Sequence, residues 1–306
     1  MPELPDLVYI EKKLRPAVLN REIRRVAVWE PIVLRMGVPG SFSDILRGKT
    51  IRDLKRHGPF LVFQLPPLEM IVHFMLAGFF RLDEKRAGGT GAKQTGGTGA
   101  KQNGAHRKNQ SLKRGSREHC FSLELGSGRH LLYFDSRRMG KIYVIQAGAT
   151  AIIPGYDSQG VDLLFPEFNL ELFRERVRGR RHQVRVFLMD QSALSAIGNA
   201  YADEILFAAG IHPKTRCDQL RLEQVDRLYR SVVSVLRWGI QKVEEADEGI
   251  DAKVRDHLKV RNRRGDPCPV CGTTIRRTGV LGYDSFFCPK CQPELRSRLV
   301  PWDKLS

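Results

Sequence analysis

The stretch CPVCGTTIRRTGVLGYDSFFCPKC, residues 268–291, decides more about this chain than any other. Cys268, Cys271, Cys288 and Cys291 have the spacing Cys-x2-Cys-x16-Cys-x2-Cys, and each tight pair suits a turn that aims two thiolates at one tetrahedral metal. Four thiolates leave no open coordination position, so the ion expected here is a structural zinc rather than a catalytic one. Between the pairs, residues 273–278 and 283–287, with Gly279 and Gly282 between them, read as a β-hairpin whose tip lies near Val280 and Leu281. The basic residues Arg276, Arg277 and Lys290 favour nucleic acid as the ribbon's partner. Docking to protein, or simply capping a domain, are the other uses of such a ribbon.

The charge of the whole chain agrees with a polyanionic partner. Its 51 Lys and Arg stand against 34 Asp and Glu, a formal net charge of +17, and such a surface attracts nucleic acid before anything else. A length of 306 residues with 42% hydrophobic residues is enough for two ordinary domains with their own cores. The opening MPELPDLVYIEKKL has no secretory pattern, and no run approaches the ~18 apolar residues of a membrane span. The expected location is therefore cytoplasmic, on the nucleoid. Cys120 and Cys217 stand alone, which excludes a disulfide framework and leaves two inert thiols.

Working back from the ribbon, residues 244–266 are polar and charged, and the preceding segment carries Leu222, Val225, Leu228, Tyr229, Val232 and Leu236 at helical spacing. Further helical patterns cover 170–178, 182–189 and 198–209. Before them, 23–28, 60–65, 70–74, 121–125, 130–134 and 141–145 are strand-like, behind an N-terminal helical pattern through Leu7, Ile10, Glu11 and Leu14. Residues 85–117 interrupt this β-rich part. GGTGAKQ occurs there twice, and the segment has nine Lys or Arg with no Asp or Glu. The expectation is a disordered basic insertion that holds phosphates loosely or is a tolerated surface loop. The pattern predicts an α+β multidomain chain with a β domain over 1–150, a helical domain over 151–261 and the ribbon over 262–306.

The other end carries chemistry. With the initiator methionine removed, Pro2 exposes a secondary amine whose pKa lies well below that of lysine. Attack of such an amine on an aldehydic sugar carbon gives an iminium directly, with the carboxylate of Glu3 placed to move protons. A proline at position 2 also simply begins many chains. Joined to the rest it says more: PELP at 2–5, DSRRMG at 135–140, MDQSALSAIGNAYADEILFAAGIHP at 189–213 and the ribbon occur in that order.

By these motifs the chain resembles the formamidopyrimidine-DNA glycosylase and endonuclease VIII family over all but the 85–117 insertion. The resemblance implies an N-terminal β-sandwich flanked by helices, a helix-two-turns-helix domain and a four-cysteine zinc ribbon, acting as a monomer on double-stranded DNA that contains a damaged base or abasic site. It implies a base-excision repair glycosylase with apurinic/apyrimidinic lyase activity, Pro2 the nucleophile and Glu3 the acid/base. Asn199, behind Gly198, matches the family's phosphate-holding residue; it also reads as a plain helix N-cap, and the two roles are compatible. Leu76, Arg137 and Met139 match the side chains that fill the duplex once a base is flipped out, usually Met, Arg and Phe.

Of these three only Arg137 keeps the usual residue, and four further positions depart from the family. Pro59 in RHGPF stands at the lysine that helps hold phosphate and assist catalysis, with Lys55, Arg56 and His57 as possible compensation. Tyr283 stands at the ribbon-tip arginine and supplies no bidentate charged fork. Arg185 stands where oxidised-purine enzymes carry a lysine, which argues against 8-oxoguanine, and is expected to bind DNA; Asp6 replaces a glutamate. The segment 244–261 is shorter than in oxidised-purine enzymes, which argues against recognition of 8-oxoguanine. Two other readings stay open at this stage: a non-catalytic DNA-damage binder of the same fold, and a zinc-ribbon RNA-binding or transcription accessory protein, which leaves Pro2, Glu3 and Asn199 unexplained.

Overall fold

The computed structural model describes residues 1–83 and 118–294. The expectation for the 85–117 insertion lies outside the described residues. In chain order the elements are α1 (Leu4–Val18), β1 (Arg21–Val28), β2 (Leu34–Met36), α2 (Phe42–Leu46), β3 (Thr50–Ile51), β4 (Asp53–His57), β5 (Phe60–Leu65), β6 (Leu68–His73), β7 (Phe79–Asp83), β8 (His119–Leu125), β9 (His130–Phe134) and β10 (Lys141–Gln146). There follow α3 (Leu170–Val177), α4 (Val184–Met189), α5 (Asn199–Ala209), α6 (Leu222–Ala246), β11 (Arg276–Val280) and β12 (Tyr283–Phe287).

The strands up to β10 form two five-stranded sheets, ordered β3-β1-β8-β9-β7 and β2-β10-β6-β5-β4. Alternation along the strands builds the space between them. Ile23, Phe80, Phe121, Leu123 and Tyr133 of the first sheet share one core with Leu61, Phe63, Met70, Val72 and Ile142 of the second. The near-continuous apolar run of β5 has a separate cause. Its alternate residues Phe60 and Val62 face outward and are buried by Ile71, Tyr143, Ile153 and Tyr156. A strand covered on both faces loses the polar half of its alternation. The expected strands all form, within a few residues of their predicted ends. Sequence patterning misses β2, β3, β4 and β7, the first three too short or too charged for a period-2 signal to stand out.

Helix α1 begins behind Glu3, in extended conformation, with Pro5 in its first turn and the Glu3 amide donating to Asp6 Oδ2 at 2.8 Å. Its Leu4, Leu7, Ile10, Leu14 and Val18 recur on one face and are buried. It packs on β4 and on α6, which ties the sandwich to the helical domain.

In the helical domain, α4 and α5 are joined by two successive turns. Asp190 caps the first, its carboxylate accepting from the amide and hydroxyl of Ser192. Gln191 braces the second, accepting from the Ala196 amide and donating to the Ile197 carbonyl, with Ala196 at φ 62°. Gly210, at φ 64°, ends α5 in the left-handed conformation that glycine adopts without steric cost.

Strands β11 and β12 pair antiparallel through a two-residue loop, Leu281-Gly282, both at positive φ. The hairpin thus turns one residue later than its sequence suggests. Its first strand starts at Arg276 because residues 272–275 are used to fold back on the first cysteine pair, with the Cys268 amide on the Thr273 carbonyl and the Ile275 amide on that of Asp266.

Candidate active site and nucleic-acid interface

Pro2 and Glu3 are buried where α1 meets the start of α5. The Leu4 amide donates to the Ala196 carbonyl at 2.8 Å, which pins the N-terminus to the second turn of the helical domain. The Glu3 carboxylate then accepts three backbone N–H bonds, from Gly198, Ala200 and Tyr201, each at 3.0 Å. Glu3 therefore fills the amide-rich N-terminus of α5, 195 residues away in sequence. Burial pushes its carboxyl above the ordinary range, against the pull of Arg255 and of these amides. A carboxyl held so can take and return a proton.

Two expectations about this helix change. Asn199 is the first residue inside α5 and Gly198 is the N-cap, so the plain N-cap reading of Asn199 fails. The amides of Gly198, Ala200 and Tyr201 are also committed to Glu3, so what this end offers an anion is the Asn199 backbone amide and side chain. Its Oδ1 accepts from Arg185 Nη2 at 2.7 Å. Arginine only donates, so the amide's orientation is fixed with its two N–H facing away from Arg185.

Arg185 is expected at the DNA surface, yet its side chain is 1% exposed. Its Nε donates to Asp203 and its Nη2 also to the Asp284 carbonyl. These contacts turn it inward, against Asn199 and the ribbon. Asp203, fully buried, is the hub of this network. It accepts from Arg185, from Arg261 Nη1 at 2.8 Å, from the Ser285 hydroxyl at 2.6 Å and from the Phe286 amide at 3.2 Å. Its neighbour Glu204 accepts the amides of Lys259, Val260 and Arg261. Sequence reasoning missed both, although two adjacent acids in the apolar helix YADEILF were a visible signal.

Asp6 takes a bidentate fork from Arg255, at 2.8 and 2.6 Å, and accepts the Glu3 amide. The shorter acid thus keeps a role at the site by meeting an arginine from the segment after α6. Arg255 also lies over the Tyr201 ring, 5.7 Å from its centroid, and the Tyr201 hydroxyl is 3.1 Å from His257 Nε2.

Leu76 lies on the β6–β7 loop and Arg137 and Met139 on the β9–β10 loop, all three exposed. Asp135 holds the second loop, accepting from the Gly140 amide at 2.6 Å and the Arg137 amide at 3.0 Å while itself fully buried. The two loops converge: a Cβ on either Gly78 or Gly140 would collide with the same Tyr133 hydroxyl. The bare backbone of these glycines is what lets both loops lie over one ring.

At Pro59 two of the three residues expected to compensate are already engaged. Arg56 is bound to Asp162, both side chains largely buried, and His57 Nε2 lies 2.9 Å from the Tyr156 carbonyl. Lys55 is exposed on the edge strand β4.

The four cysteines converge. Their Sγ atoms all lie within 4.8 Å of one another, with separations of 3.4, 3.5 and 3.8 Å among them. Thiolates about 2.3 Å from a tetrahedral zinc lie about 3.8 Å apart, so the set fits one structural Zn2+. The ribbon has its own small core of Ile275, Phe286 and the cysteines against Phe207 and Val260. Gln292 ties it to the segment just after α5, donating to the Ile211 carbonyl at 2.9 Å. Tyr283 is exposed just past the tip, and Arg277 is paired with Asp284 at 3.1 Å. Cys120 and Cys217 are buried, and burial pushes each thiol up to about 11.

Fold and site define a β-sandwich enzyme with a buried N-terminal carboxylate, a helix-two-turns-helix domain and a zinc ribbon. Family models agree along the chain: the formamidopyrimidine-DNA glycosylase N-terminal domain matches residues 1–142, the formamidopyrimidine-DNA glycosylase H2TH domain 159–248, and the zinc finger found in FPG and IleRS 265–293. A formamidopyrimidine-DNA glycosylase of Symbiobacterium thermophilum is 31% identical, covering 96% of this chain and 90% of that protein. Among solved structures, MutM (Fpg) from Thermus thermophilus is similar with a TM-score of 0.77 and 27% identity, covering 96% of this chain and all of that one. Lactococcus lactis Fpg in complex with abasic-site DNA has a TM-score of 0.79 at 23% identity, covering 95% of this chain and 100% of that one. The chain belongs to the formamidopyrimidine-DNA glycosylase family. Among the described residues no helix is long and apolar enough to cross a membrane.

Proposed function

We propose that the chain is a base-excision repair DNA glycosylase with apurinic/apyrimidinic lyase activity, in which the Pro2 amine attacks C1′ of a damaged nucleotide. The observation that carries this reading is the Glu3 carboxylate, buried beside Pro2 and locked onto the N-terminus of α5. A protein that only bound DNA would have no use for a proton carrier fixed next to a secondary amine.

In the reaction the free nitrogen forms a bond to C1′ as the glycosidic bond breaks, its electron pair leaving with the base. The nitrogen loses its proton, and the sugar ring opens as O4′ gains one, which gives the iminium. Removal of a 2′ proton then expels the 3′ phosphate. Glu3 moves protons in these steps, and its raised carboxyl suits that work.

Asn199 would hold phosphate with its outward N–H groups. Leu76, Arg137 and Met139 would enter the space left by the flipped nucleotide, carried on their two converging loops. Tyr283 would meet the backbone with a ring and one hydroxyl, a weaker grip than an arginine fork. Arg185 is placed behind Asn199 rather than at the DNA. The Symbiobacterium relative is named a formamidopyrimidine-DNA glycosylase, and the Lactococcus Fpg of similar fold is bound to abasic-site DNA. We divide the chain into a catalytic sandwich over 1–150, a helix-two-turns-helix domain over 151–261 and a ribbon over 262–306. It would act as a monomer, on the nucleoid in the cytoplasm.

The test is a panel of duplexes carrying oxidised purines, oxidised pyrimidines, uracil or an abasic site, scored for base release and strand cleavage. Release of at least one damaged base, with cleavage of the abasic duplex, is expected. Tight binding of the abasic duplex with neither reaction would favour the damage-binding alternative, to which Pro59 lends some weight.

A further inference from the structure

One arginine holds Glu3 at both of its ends. Arg255, in the segment after α6, sets Nη1 and Nη2 on the two carboxylate oxygens of Asp6, at 2.8 and 2.6 Å. The Asp6 oxygen that takes Nη2 also accepts the Glu3 amide, at 2.8 Å. The same guanidinium lies 5.7 Å from the centre of the Tyr201 ring, and the Tyr201 amide donates to Glu3 Oε2 at 3.0 Å. The contacts close a circuit from Arg255 to Asp6, Glu3, Tyr201 and back, across α1, α5 and the segment after α6. The Arg255 and Asp6 side chains are largely withdrawn from solvent, 23% and 5% exposed.

We propose that Arg255 is a positioning residue for Pro2 and Glu3: by locking the Asp6 carboxylate it fixes the plane of the Pro2–Glu3 peptide, and by backing Tyr201 it holds the Glu3 carboxylate against the same frame. This rests on the reading of Pro2 as nucleophile and Glu3 as proton carrier. The peptide unit is planar, so an anchored Glu3 N–H anchors the carbonyl carbon of Pro2 as well. One rotatable bond, between Cα and that carbon, then separates the fixed plane from the Pro2 nitrogen. None of these contacts involves Met1.

The fork matters because a single hydrogen bond leaves a carboxylate free to turn. A planar guanidinium on both oxygens sets its orientation, and a lysine ammonium, a point charge, does not. The Tyr201 ring is backed in turn by α6: a Cβ on Gly239 would lie 2.4 Å from Tyr201 Cε1, and the Tyr201 hydroxyl is 3.1 Å from His257 Nε2. The segment that carries Arg255 has other anchors than the fork, with Asp251 bound to Arg81 of β7 and Asp247 to Tyr9 of α1.

The experiment uses the full-length, methionine-processed protein and its Arg255→Met, Arg255→Lys, Asp6→Asn and Asp6→Asn/Arg255→Met variants. Affinity for an abasic-site duplex is titrated, and the first-order rate of borohydride-trapped adduct is measured at saturating duplex, per active molecule, beside a thermal melt. R255M should trap about 10–100-fold more slowly, with an affinity within about twofold of the parent's. D6N breaks the fork from its other side and should be slowed to a similar degree. The double variant should be no slower than the slower single, since the linkage can be lost only once. It also leaves neither charge of the pair buried alone, so it carries the test if R255M by itself melts low. Burial raises the Glu3 carboxyl and the Arg255 charge draws it back. R255K keeps that charge without the fork and should stay close to R255M.

A parental rate at saturating duplex in R255M, with only a lower melting temperature, would make Arg255 a brace for the fold and overturn the proposal. So would a slowing that disappears at saturation, effects of D6N and R255M that multiply in the double variant, or full recovery in R255K. In each of these the parent still forms its adduct and the nucleophile reading stands. No adduct from the parent would overturn that reading and this proposal together.

Discussion

The Glu3 carboxylate rests against the backbone of Gly198, so closely that a Cβ at position 198 would fall 2.7 Å from Glu3 Cδ and 2.9 Å from its Oε1. Gly198 has φ −123°, a value any residue adopts, so the glycine is required by space and not by backbone strain. Gly198→Ala should push Glu3 off the amides of Gly198, Ala200 and Tyr201. Base release and strand cleavage should fall by about 10²-fold or more, with a stability loss of only about 1–3 kcal/mol. Steady-state kinetics and a thermal melt on one preparation check both. A G198A enzyme with parental kcat would mean that the carboxylate is not in the reaction.

Arg185 and Asp203 form a buried pair, 1% and 0% exposed, that joins α4, α5 and the ribbon. Arg185→Ala leaves Asp203 with Arg261 as its remaining cation and releases Asn199 Oδ1. A stability loss of roughly 3 kcal/mol is expected, together with weaker binding of every duplex irrespective of lesion. Urea unfolding and a filter-binding titration read these. Loss confined to one lesion type would put Arg185 in base recognition instead.

Zinc holds the ribbon, and the ribbon is bound to α5 through Ser285 and Phe286 and to the segment just after it through Gln292. Stripping the metal with a strong chelator, or Cys268→Ala, should unfold residues 268–291 and cost at least tenfold in DNA affinity, since structural zinc contributes folding energy outright. Far-ultraviolet dichroism of the helices should change little. Metal analysis with a binding isotherm tests this, and undiminished affinity in the metal-free protein would separate the ribbon from DNA.

His73 is held well below its ordinary value, at about 4, by burial, Lys141 and the N-terminus. The unfolded chain binds this proton between about pH 6.5 and 4 and the folded one does not, so stability is full above pH 6.5 and falls as pH drops through that window. The contribution lost is up to about 3 kcal/mol. Urea midpoints at pH 7.5 and pH 5 should differ by less in His73→Asn than in the parent. An equal difference in both would place the acid sensitivity elsewhere.

Much of the architecture is legible in the sequence because its signals are local. The Cys-x2-Cys pairs, the helical stripe of α6 and the alternating strands each lie within a single element. What escapes is set by partners far away in sequence. Arg185 reads as a surface cation until Asp203 and Asp284 enclose it. Arg56 and His57 read as available until the 156–162 segment binds them. Lys253 and Arg255 sit in a charged stretch without periodicity and find their partners near residues 1–6 and 76. Glu3 was legible as an acid/base from its place beside Pro2, but its three amide partners, nearly 200 residues on, were not.

The central claim is that the N-terminal proline is the nucleophile. The most direct measurement is borohydride reduction of the protein on an abasic-site duplex, followed by proteolysis and mass spectrometry of the cross-linked peptide, with Pro2→Gly in parallel. The adduct should map to the peptide beginning at Pro2, and trapping should be lost or greatly slowed in P2G. No adduct, or one of parental yield in P2G on an internal lysine, would contradict the account.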